Sequence, residues 1–411
     1  MKLSEELIYR GFKAETTIEN PEDLDTRESK KFYWGADPSA DSLTIGNLAA
    51  LMMCACFVRH GYEPYLLVGG ATGQIGDPKE NGERDLKTLD EVEHNKQCIK
   101  KQIENVIKSN NIKLVDNLDW FKDINYLSFL REVGKNFSMT QLLDRQFVQN
   151  RIGSGGSGIS YAEFSYTLIQ GYDFLHLYRE YGVSLQLCGA DQYGNCTSGI
   201  HLISRLEDAK ADVWSTPLII DPVTGIKFGK SEGNAVWLAA SDNGSGNYTS
   251  IYDFYQFWMN QSDVAVESLL KVYTLLEPEE IEKILAEHKE HPEMRLAQKA
   301  LARGATTVVH GAGAAEAVEN LSETLFNKET DFSDFSEDEI LEFAAYLPTV
   351  AKGNTLVDIL TNTGLADSKK KAREFIAQGA VSVNGAKVKE DVAINQVAIV
   401  KKGKNKFAIV V

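Results

Sequence analysis

The 411-residue sequence predicts an α/β protein with a doubly wound parallel sheet, followed by an all-helical region and a small α+β domain. Three observations lead to this prediction. In the first half, short β-rich segments alternate with helical patterns. From 249 to 326 the pattern is helical throughout. From residue 351 onward the chain becomes basic, and an Asn-Gly pair between apolar alternations predicts a two-residue hairpin.

Each predicted element of the sheet domain rests on a local pattern. The segments 32–34, 64–68, 183–187 and 217–220 are β-rich and predict strands. After Asn47, apolar residues recur at the spacing of one buried helix face. Strands separated by such helices run parallel, and ligands bind beyond their carboxyl ends.

These patterns divide the chain into five parts and one insertion. The acidic, aperiodic start of 327–350 predicts a linker. The parts are a sheet domain (1–220) with a helical insertion (about 86–160), a lysine-bearing loop and connection (221–245), a helical domain (246–326), the linker (327–350) and the small basic domain (351–411).

Composition excludes several classes of protein. With 43% hydrophobic and 25% charged residues, disorder, collagen and coiled coil are excluded as global descriptions. No apolar run approaches the roughly 20 residues of a membrane span, and the acidic start lacks the apolar core of an export signal. We therefore expect a soluble cytoplasmic protein. Five scattered cysteines without a CxxC pair disfavour a disulfide scaffold or a zinc ribbon, so no protein-bound metal is predicted.

Charge is distributed unevenly. Residues 351–411 carry 11 basic and 5 acidic side chains, whereas the other 350 residues carry 32 and 54. The formal charge of −16 disfavours binding of nucleic acid by the whole surface, and no DNA partner is expected. A basic tail on an acidic body is typical of RNA contact by that tail, although a solvated basic surface fits the charge equally well.

Residues 35–48 form the first candidate site. They run from a predicted strand into a helix, where free N–H groups favour anions and Gly46 lets a phosphate approach the backbone. Ser39, Thr44 and Asn47 can add hydrogen bonds. A loop whose polar residues only cap the helix would have the same sequence.

Two glycine-containing loops have different predicted roles. Lys227 and Lys230 lie three apart on one loop and would suit a polyphosphate whose charge moves in a transition state, although many such loops are only solvated. The glycine-serine run at 153–158 lacks the Lys-Ser/Thr pair of a phosphate loop, so we interpret it as a flexible connection.

Two further segments carry polar side chains amid apolar ones. Tyr166, Gln170 and Asp173 occupy positions i, i+4 and i+7, so one helix face presents a phenol, an amide and a carboxylate. This face either lies in water or binds the ammonium and hydroxyl groups of an amino acid. Residues 186–195 follow an apolar strand, where a ligand of a parallel sheet should lie.

Together these segments resemble a known family. Residues 35–48 match the region of its HIGH motif, 227–231 match KMSKS, and 68–78 and the segments around Tyr166 and Gln186 match as well, in the family's order. The chain thus resembles the bacterial-type tyrosyl-tRNA synthetases, class I aminoacyl-tRNA synthetases with a Rossmann-like catalytic domain. The final domain resembles a small RNA-binding domain shared with a small-subunit ribosomal protein.

The resemblance implies a reaction, partners and residue roles. L-tyrosine would attack the α-phosphate of ATP in the presence of Mg²⁺, and the tyrosyl group would pass to tRNA(Tyr), in a homodimer. The residues that would bind tyrosine are Tyr33, Asp77, Tyr166, Gln170, Asp173 and Gln192. Those that would bind ATP are Gly35, Asp37, Gly46, Gly189, Asp191, Lys230 and Ser231. The catalytic set would be Ser39, Thr44, Asn47, Arg84, Lys227 and Lys230, and the RNA-binding set Lys369, Lys370, Lys371 and Arg373.

Some residues depart from the family pattern. Thr44 and Asn47 replace both histidines of HIGH, and Trp34 stands where a small cysteine is common. Two alternative functions therefore stay open. The first is a catalytically weak paralogue that binds RNA, favoured by the altered motif. The second is a ligase that uses tyrosine without tRNA, disfavoured by the basic final domain.

Overall fold

A computed structural model describes residues 1–78, 86–143, 146–153, 155–220, 225, 230–231, 234–327 and 329–411. Arg84 and Lys227 of the predicted catalytic set lie outside the described residues. The chain forms two compact units. The first comprises Met1–Thr249 and Trp258–Val309, and the second Ser250–Phe257 and His310–Val411.

The first unit contains a parallel five-stranded sheet in the order β3-β2-β1-β4-β5. Its strands are β1 (Lys31–Ala36), β2 (Glu63–Val68), β3 (Lys113–Val115), β4 (Leu185–Gly189) and β5 (Asp212–Thr216). The predicted doubly wound fold is confirmed. Two details of the prediction were wrong. The edge strand β3 lies inside the stretch that we predicted to be helical, and the last strand ends at Thr216, before the predicted segment 217–220.

Some helices of the first unit alternate with the strands of the sheet, and others follow the last strand in the sequence. They are α1 (Leu3–Tyr9), α2 (Asp23–Thr26), α3 (Ile45–Arg59), α4 (Leu89–Ile107), α5 (Leu118–Phe121), α6 (Tyr126–Glu132), α7 (Met139–Leu143), α8 (Gln146–Ile152), α9 (Tyr161–Tyr181), α10 (Tyr193–Glu207), α12 (Asp263–Tyr273), α13 (Pro278–Glu290) and α14 (Leu296–His310). Helix α11 (Ile251–Met259) belongs to the second unit except for its last two residues. A two-stranded ladder, β6 (Lys230–Ser231) with β7 (Asn234–Ala235), precedes α11.

Two of these helices carry part of the candidate site. Helix α3 is apolar on nearly every side and is buried against the sheet, α1, α4 and α12. Helix α9 begins at Ser160, whose hydroxyl accepts a hydrogen bond from the Glu163 N–H group, and it ends at Gly182, which has a left-handed φ of 68°. Both helices agree with the sequence patterns.

The second unit has its own apolar core and a mixed sheet in the order β10-β9-β11-β12-β8. Its elements are β8 (Thr349–Val350), β9 (Val381–Val383), β10 (Ala386–Val388), β11 (Ala398–Lys402), β12 (Lys406–Val410), α15 (Ala312–Phe326), α16 (Glu337–Phe343), α17 (Leu356–Asn362) and α18 (Lys369–Ala377). Asn384 and Gly385, with φ values of 44° and 83°, join β9 to β10, which confirms the predicted hairpin. Within the described ranges, no helix is long and apolar enough to cross a membrane.

Candidate active site

One end of the site is formed by Tyr33 and Asp173, both almost completely buried. Tyr33 lies on β1, and its ring packs 6.0 Å from that of Phe174 on α9. Burial, with a contribution from the nearby Asp173 charge, raises the pKa of Tyr33 well above its usual range. The phenol is therefore neutral and keeps its proton to donate.

Two side chains orient the Asp173 carboxylate. Asn117 Nδ2 donates to Oδ2 at 3.1 Å, and Trp120 Nε1 donates to Oδ1 at 3.0 Å. Burial raises the pKa of Asp173 well above its usual range, whereas these two donors act in the opposite direction. Sequence reasoning missed both donors because it missed strand β3, beyond whose carboxyl end they lie.

Asn117 also connects this carboxylate to the turn after β2. Its Oδ1 accepts from the Ala71 N–H group at 2.7 Å, and its Nδ2 donates to Thr72 Oγ1 at 3.1 Å. Glycine is required at the start of this turn, because a Cβ at Gly69 would lie 1.9 Å from Thr72 Oγ1. The turn and Asp173 thus share one buried amide.

A second group of polar side chains surrounds Tyr166. Its hydroxyl donates to Asp37 Oδ2 at 2.7 Å, which joins a residue predicted for tyrosine to one predicted for ATP. Asp77 accepts from Gln192 Nε2 at 2.8 Å and from Asn195 Nδ2 at 3.2 Å. Sequence reasoning did not single out Asn195, although it lies in the segment after β4.

Two buried amide oxygens on α9 and β4 lack partners among the described residues, namely Gln170 Oε1 and Gln186 Oε1. Gln170 lies one helical turn after Tyr166, and Gln186 is the register partner of Tyr33 in the sheet. An unpaired buried acceptor costs about 1–3 kcal/mol. Near Tyr166, Gln170 Oε1 and the carboxylates of Asp37 and Asp77 therefore suit a cationic donor. Tyr33 and Asp173, at the other end of the site, suit a hydroxyl group.

Thr44 and Asn47 lie at the start of α3 and hydrogen-bond to each other. Asn47 Oδ1 accepts both from the Thr44 N–H group and from the Thr44 hydroxyl, each at 3.0 Å. They thus cap the helix, which agrees with the alternative interpretation of residues 35–48 as a loop that caps α3. The Asn47 Nδ2 group has no partner among the described residues, so it can still donate. Ser39 is exposed on the preceding loop.

The segment that follows β7 pairs with the residues just before α3 and with its first residue. The Ile45 N–H group donates to the Val236 carbonyl at 3.0 Å, and the Leu238 N–H group donates to the Leu43 carbonyl at 2.8 Å. This pairing connects the lysine-bearing loop to the residues that match HIGH. The structure describes Lys230 and Ser231 only as strand β6.

The remaining residues predicted for ATP lie beyond the ends of β1 and β4 or at the start of α3. Gly35 and Gly46 are exposed. Asp191 is also exposed, and its Oδ1 would be 2.7 Å from a Cβ at Gly189, so this close approach requires glycine. In the described part of the chain, no three His, Cys, Asp or Glu side chains are arranged to hold a metal ion.

The predicted RNA-binding residues lie on the exposed face of α18 in the second unit. Lys369 Nζ is 2.8 Å from Asp358 Oδ1, and Lys371 pairs with Asp367. Lys370 and Arg373 are exposed as well. Lys402, on the neighbouring strand β11, lies 4.1 Å from the centre of the Phe375 ring.

Comparison with known proteins decides the family. Residues 25–327 match the family of class I tRNA synthetases (W and Y). Residues 339–410 match the C-terminal domain of tyrosine–tRNA ligases. The tyrosine–tRNA ligase of Streptococcus gordonii is 39% identical over 100% of this chain and 99% of its own length. The chain belongs to the tyrosine–tRNA ligases. This confirms the resemblance inferred from the sequence.

Other tyrosine–tRNA ligases agree. The enzyme from Streptococcus agalactiae is 38% identical over the same shares of both chains. The truncated mitochondrial tyrosyl-tRNA synthetase of Aspergillus nidulans has a TM-score of 0.68 and 28% identity, over 79% of this chain and 94% of its own. The fold class and the enzyme class predicted from the sequence are therefore confirmed.

Proposed function

We propose that this chain activates L-tyrosine with ATP, releasing pyrophosphate, and then transfers the tyrosyl group to the 3′ end of tRNA(Tyr). The observation that carries this proposal is the two-ended site on α9. Asp173 and Tyr33 form a buried pair suited to a phenol hydroxyl. At the other end, near Tyr166, Gln170 Oε1 has no partner among the residues that the structure describes. A free amino acid with a hydroxylated ring matches both ends.

Each end has a defined role in this proposal. Tyr33 and Asp173 bind the phenol hydroxyl, and phenylalanine leaves both unpaired. The general preference of this kind of enzyme for tyrosine over phenylalanine is a standard example of such discrimination. Asp77, Tyr166 and Gln170 hold the ammonium group. Gln192, which already donates to Asp77, approaches the carboxyl end.

The nucleotide is held by glycine backbone and by polar and charged side chains. Gly35, Asp37, Gly46, Gly189, Asp191, Lys230 and Ser231 bind ATP, and Mg²⁺ accompanies its phosphates. Asn47 and Thr44, with Ser39, Arg84, Lys227 and Lys230, stabilise the departing pyrophosphate. No covalent nucleophile is needed, because the rate gain comes from positioning and from contacts that strengthen in the transition state.

The domain division and assembly form part of the same proposal. Residues 1–220 are catalytic, with 86–160 inserted; 221–245 carry the KMSKS-like loop, 246–326 serve the anticodon side, 327–350 link, and 351–411 bind RNA. We expect a cytoplasmic homodimer. Exposed apolar side chains of the insertion support a dimer, and they include Tyr126, Leu127, Met139 and Ile152.

Tyrosine-dependent exchange between ATP and pyrophosphate tests the activation step, with phenylalanine as the control substrate. Exchange with tyrosine alone supports the proposal. Folded protein that binds tyrosine without exchange contradicts it and favours the weak RNA-binding paralogue. One observation favours that second candidate, since Thr44 and the Asn47 oxygen are already engaged in capping α3.

A charge-reversal variant tests the transfer step in the full chain. Lys370→Glu with Arg373→Glu should leave pyrophosphate exchange unchanged and lower tRNA charging. Lys101→Glu, at an exposed lysine of α4, is the matched control and should change neither activity. Unchanged charging by the double variant would contradict RNA binding by α18.

A further inference from the structure

Helix α4 reaches the tyrosine pocket through a buried ion pair. Lys96 and Asp116 are only 6% and 8% exposed, and Lys96 Nζ lies 2.6 Å from Asp116 Oδ2. Lys96 also pairs with Glu93, an exposed residue of α4. A buried ion pair adds little net stability, because desolvation of both charges offsets their attraction. The pair therefore suits a role other than stabilisation.

The other oxygen of Asp116 holds the turn after β2. Oδ1 accepts from the Gly70 N–H group at 2.9 Å and from the Leu118 N–H group at 3.0 Å. The approach is so close that a Cβ at Gly70 would lie 2.3 Å from Oδ1. Asn117, the next residue, holds Ala71 and also donates to Asp173. Asp116 and Asn117 thus accept hydrogen bonds from two consecutive N–H groups of one turn.

From this arrangement we propose that Lys96 and Asp116 are positioning residues that set the enzyme's selectivity for the phenol hydroxyl of tyrosine. The inference rests on the proposed function, since it assigns the hydroxyl to Asp173. Lys96 holds the Asp116 carboxylate by its ion pair, and Asp116 holds the turn after β2 by its hydrogen bond from Gly70. Asn117, which binds the same turn, donates to the Asp173 carboxylate and so sets its position. Lys96 also compensates the Asp116 charge, which otherwise adds to the electrostatic cost of an ionised Asp173.

Two single substitutions disrupt the contacts that link Lys96, Asp116 and the turn after β2, each in a different way. Lys96→Gln leaves the Asp116 carboxylate uncompensated. Asp116→Asn offers one acceptor oxygen where the site needs two, one for Gly70 and one for Lys96. The double variant K96Q/D116N restores a neutral pair. The new side-chain oxygen at position 96 can accept from the new amide nitrogen at position 116, whose own oxygen accepts from Gly70. Lys101→Gln, an exposed lysine of α4, is the matched control.

The measurement is pyrophosphate exchange with tyrosine and with phenylalanine. Each single variant should raise the KM for tyrosine about tenfold, the size of a one-unit pKa change at the carboxylate. We expect kcat to stay within about threefold and the tyrosine-to-phenylalanine ratio of kcat/KM to fall about tenfold, because phenylalanine makes no use of Asp173. The double variant should recover most of the ratio, and K101Q should match the unmodified protein.

Two outcomes would overturn the inference. One is a folded K96Q or D116N with an unchanged KM and ratio. The other is an equal loss with both amino acids, which would indicate a merely structural role. If K96Q does not fold, D116N decides, because it keeps Lys96 and its contact with Glu93. Absence of exchange in the unmodified protein would instead contradict the proposed function, and calorimetric tyrosine binding would then decide the role of the pair.

Discussion

The substitution Trp120→Phe isolates one hydrogen bond of the candidate site. Trp120 Nε1 donates to Asp173 Oδ1 at 3.0 Å, and the indole ring stacks on His176 with 4.3 Å between ring centres. Phenylalanine keeps an aromatic ring for the stacking and removes the donor. Burial already raises the pKa of Asp173, so loss of a donor to the carboxylate should raise it further.

The expected magnitude follows from the charge on the acceptor. A hydrogen bond to a charged group contributes about 1.5–3 kcal/mol, which corresponds to about a 10- to 150-fold change in tyrosine binding. The KM for tyrosine should rise by that factor, whereas activation of phenylalanine should change little. The ionised form of Asp173 loses a stabilising hydrogen bond, so the pKa of Asp173 should be higher in the W120F variant. On acidification, tyrosine binding should therefore begin to weaken at a higher pH in W120F than in the unmodified protein.

Pyrophosphate exchange at several tyrosine concentrations measures this effect. Trp214→Phe is the matched control, because Trp214 is buried and donates its indole N–H to the Phe12 carbonyl at 2.6 Å, away from the residues that hold Asp173. It should lower stability without changing amino-acid selectivity. A tyrosine KM within twofold of the original in folded W120F would refute the assigned role of Trp120.

Three other predictions concern stability. Thr44→Ala removes the cap of α3 and should lower the free energy of unfolding by about 1 kcal/mol in urea titrations, whereas Thr44→Ser should retain most of it. Gly385→Ala places a side chain at a φ of 83°, so it should destabilise the second unit by about 1 kcal/mol and reduce tRNA charging more than pyrophosphate exchange. Burial opposes ionisation of Glu6, but hydrogen bonds from His60 and Arg10 outweigh it and lower its pKa. Stability from Glu6 should therefore be complete above pH 4.5 and lost on further acidification, and thermal melts of Glu6→Gln should show a shallower acid slope.

Sequence patterns predicted the elements whose signal is local. Helix α3 has a sustained apolar pattern, α9 has a cap at each end, and the Asn384-Gly385 turn adopts the backbone that those residues favour. They also predicted the polar face of α9. Each of these needs only neighbouring residues to be recognised.

Elements that depend on distant contacts were missed. Strand β5 begins at Asp212, a poor strand former, and Arg27 and Thr17 bind the buried Asp212 carboxylate at 2.8 and 3.0 Å. Strand β3 has three residues within a helical stretch. Since the partners of Asp173 follow that strand, their role could be recognised only once the fold had brought them to it.

The pairing of Leu43 and Ile45 with the segment at Val236 and Leu238 bears on how this chain is synthesised. About 190 residues separate the two segments. During synthesis, the backbone groups at the start of α3 therefore have no partner until the segment around Val236 has left the ribosome. Non-local pairing of this kind slows folding. A fragment released before residue 236 would contain every residue that matches HIGH but would lack the backbone partners that complete that segment.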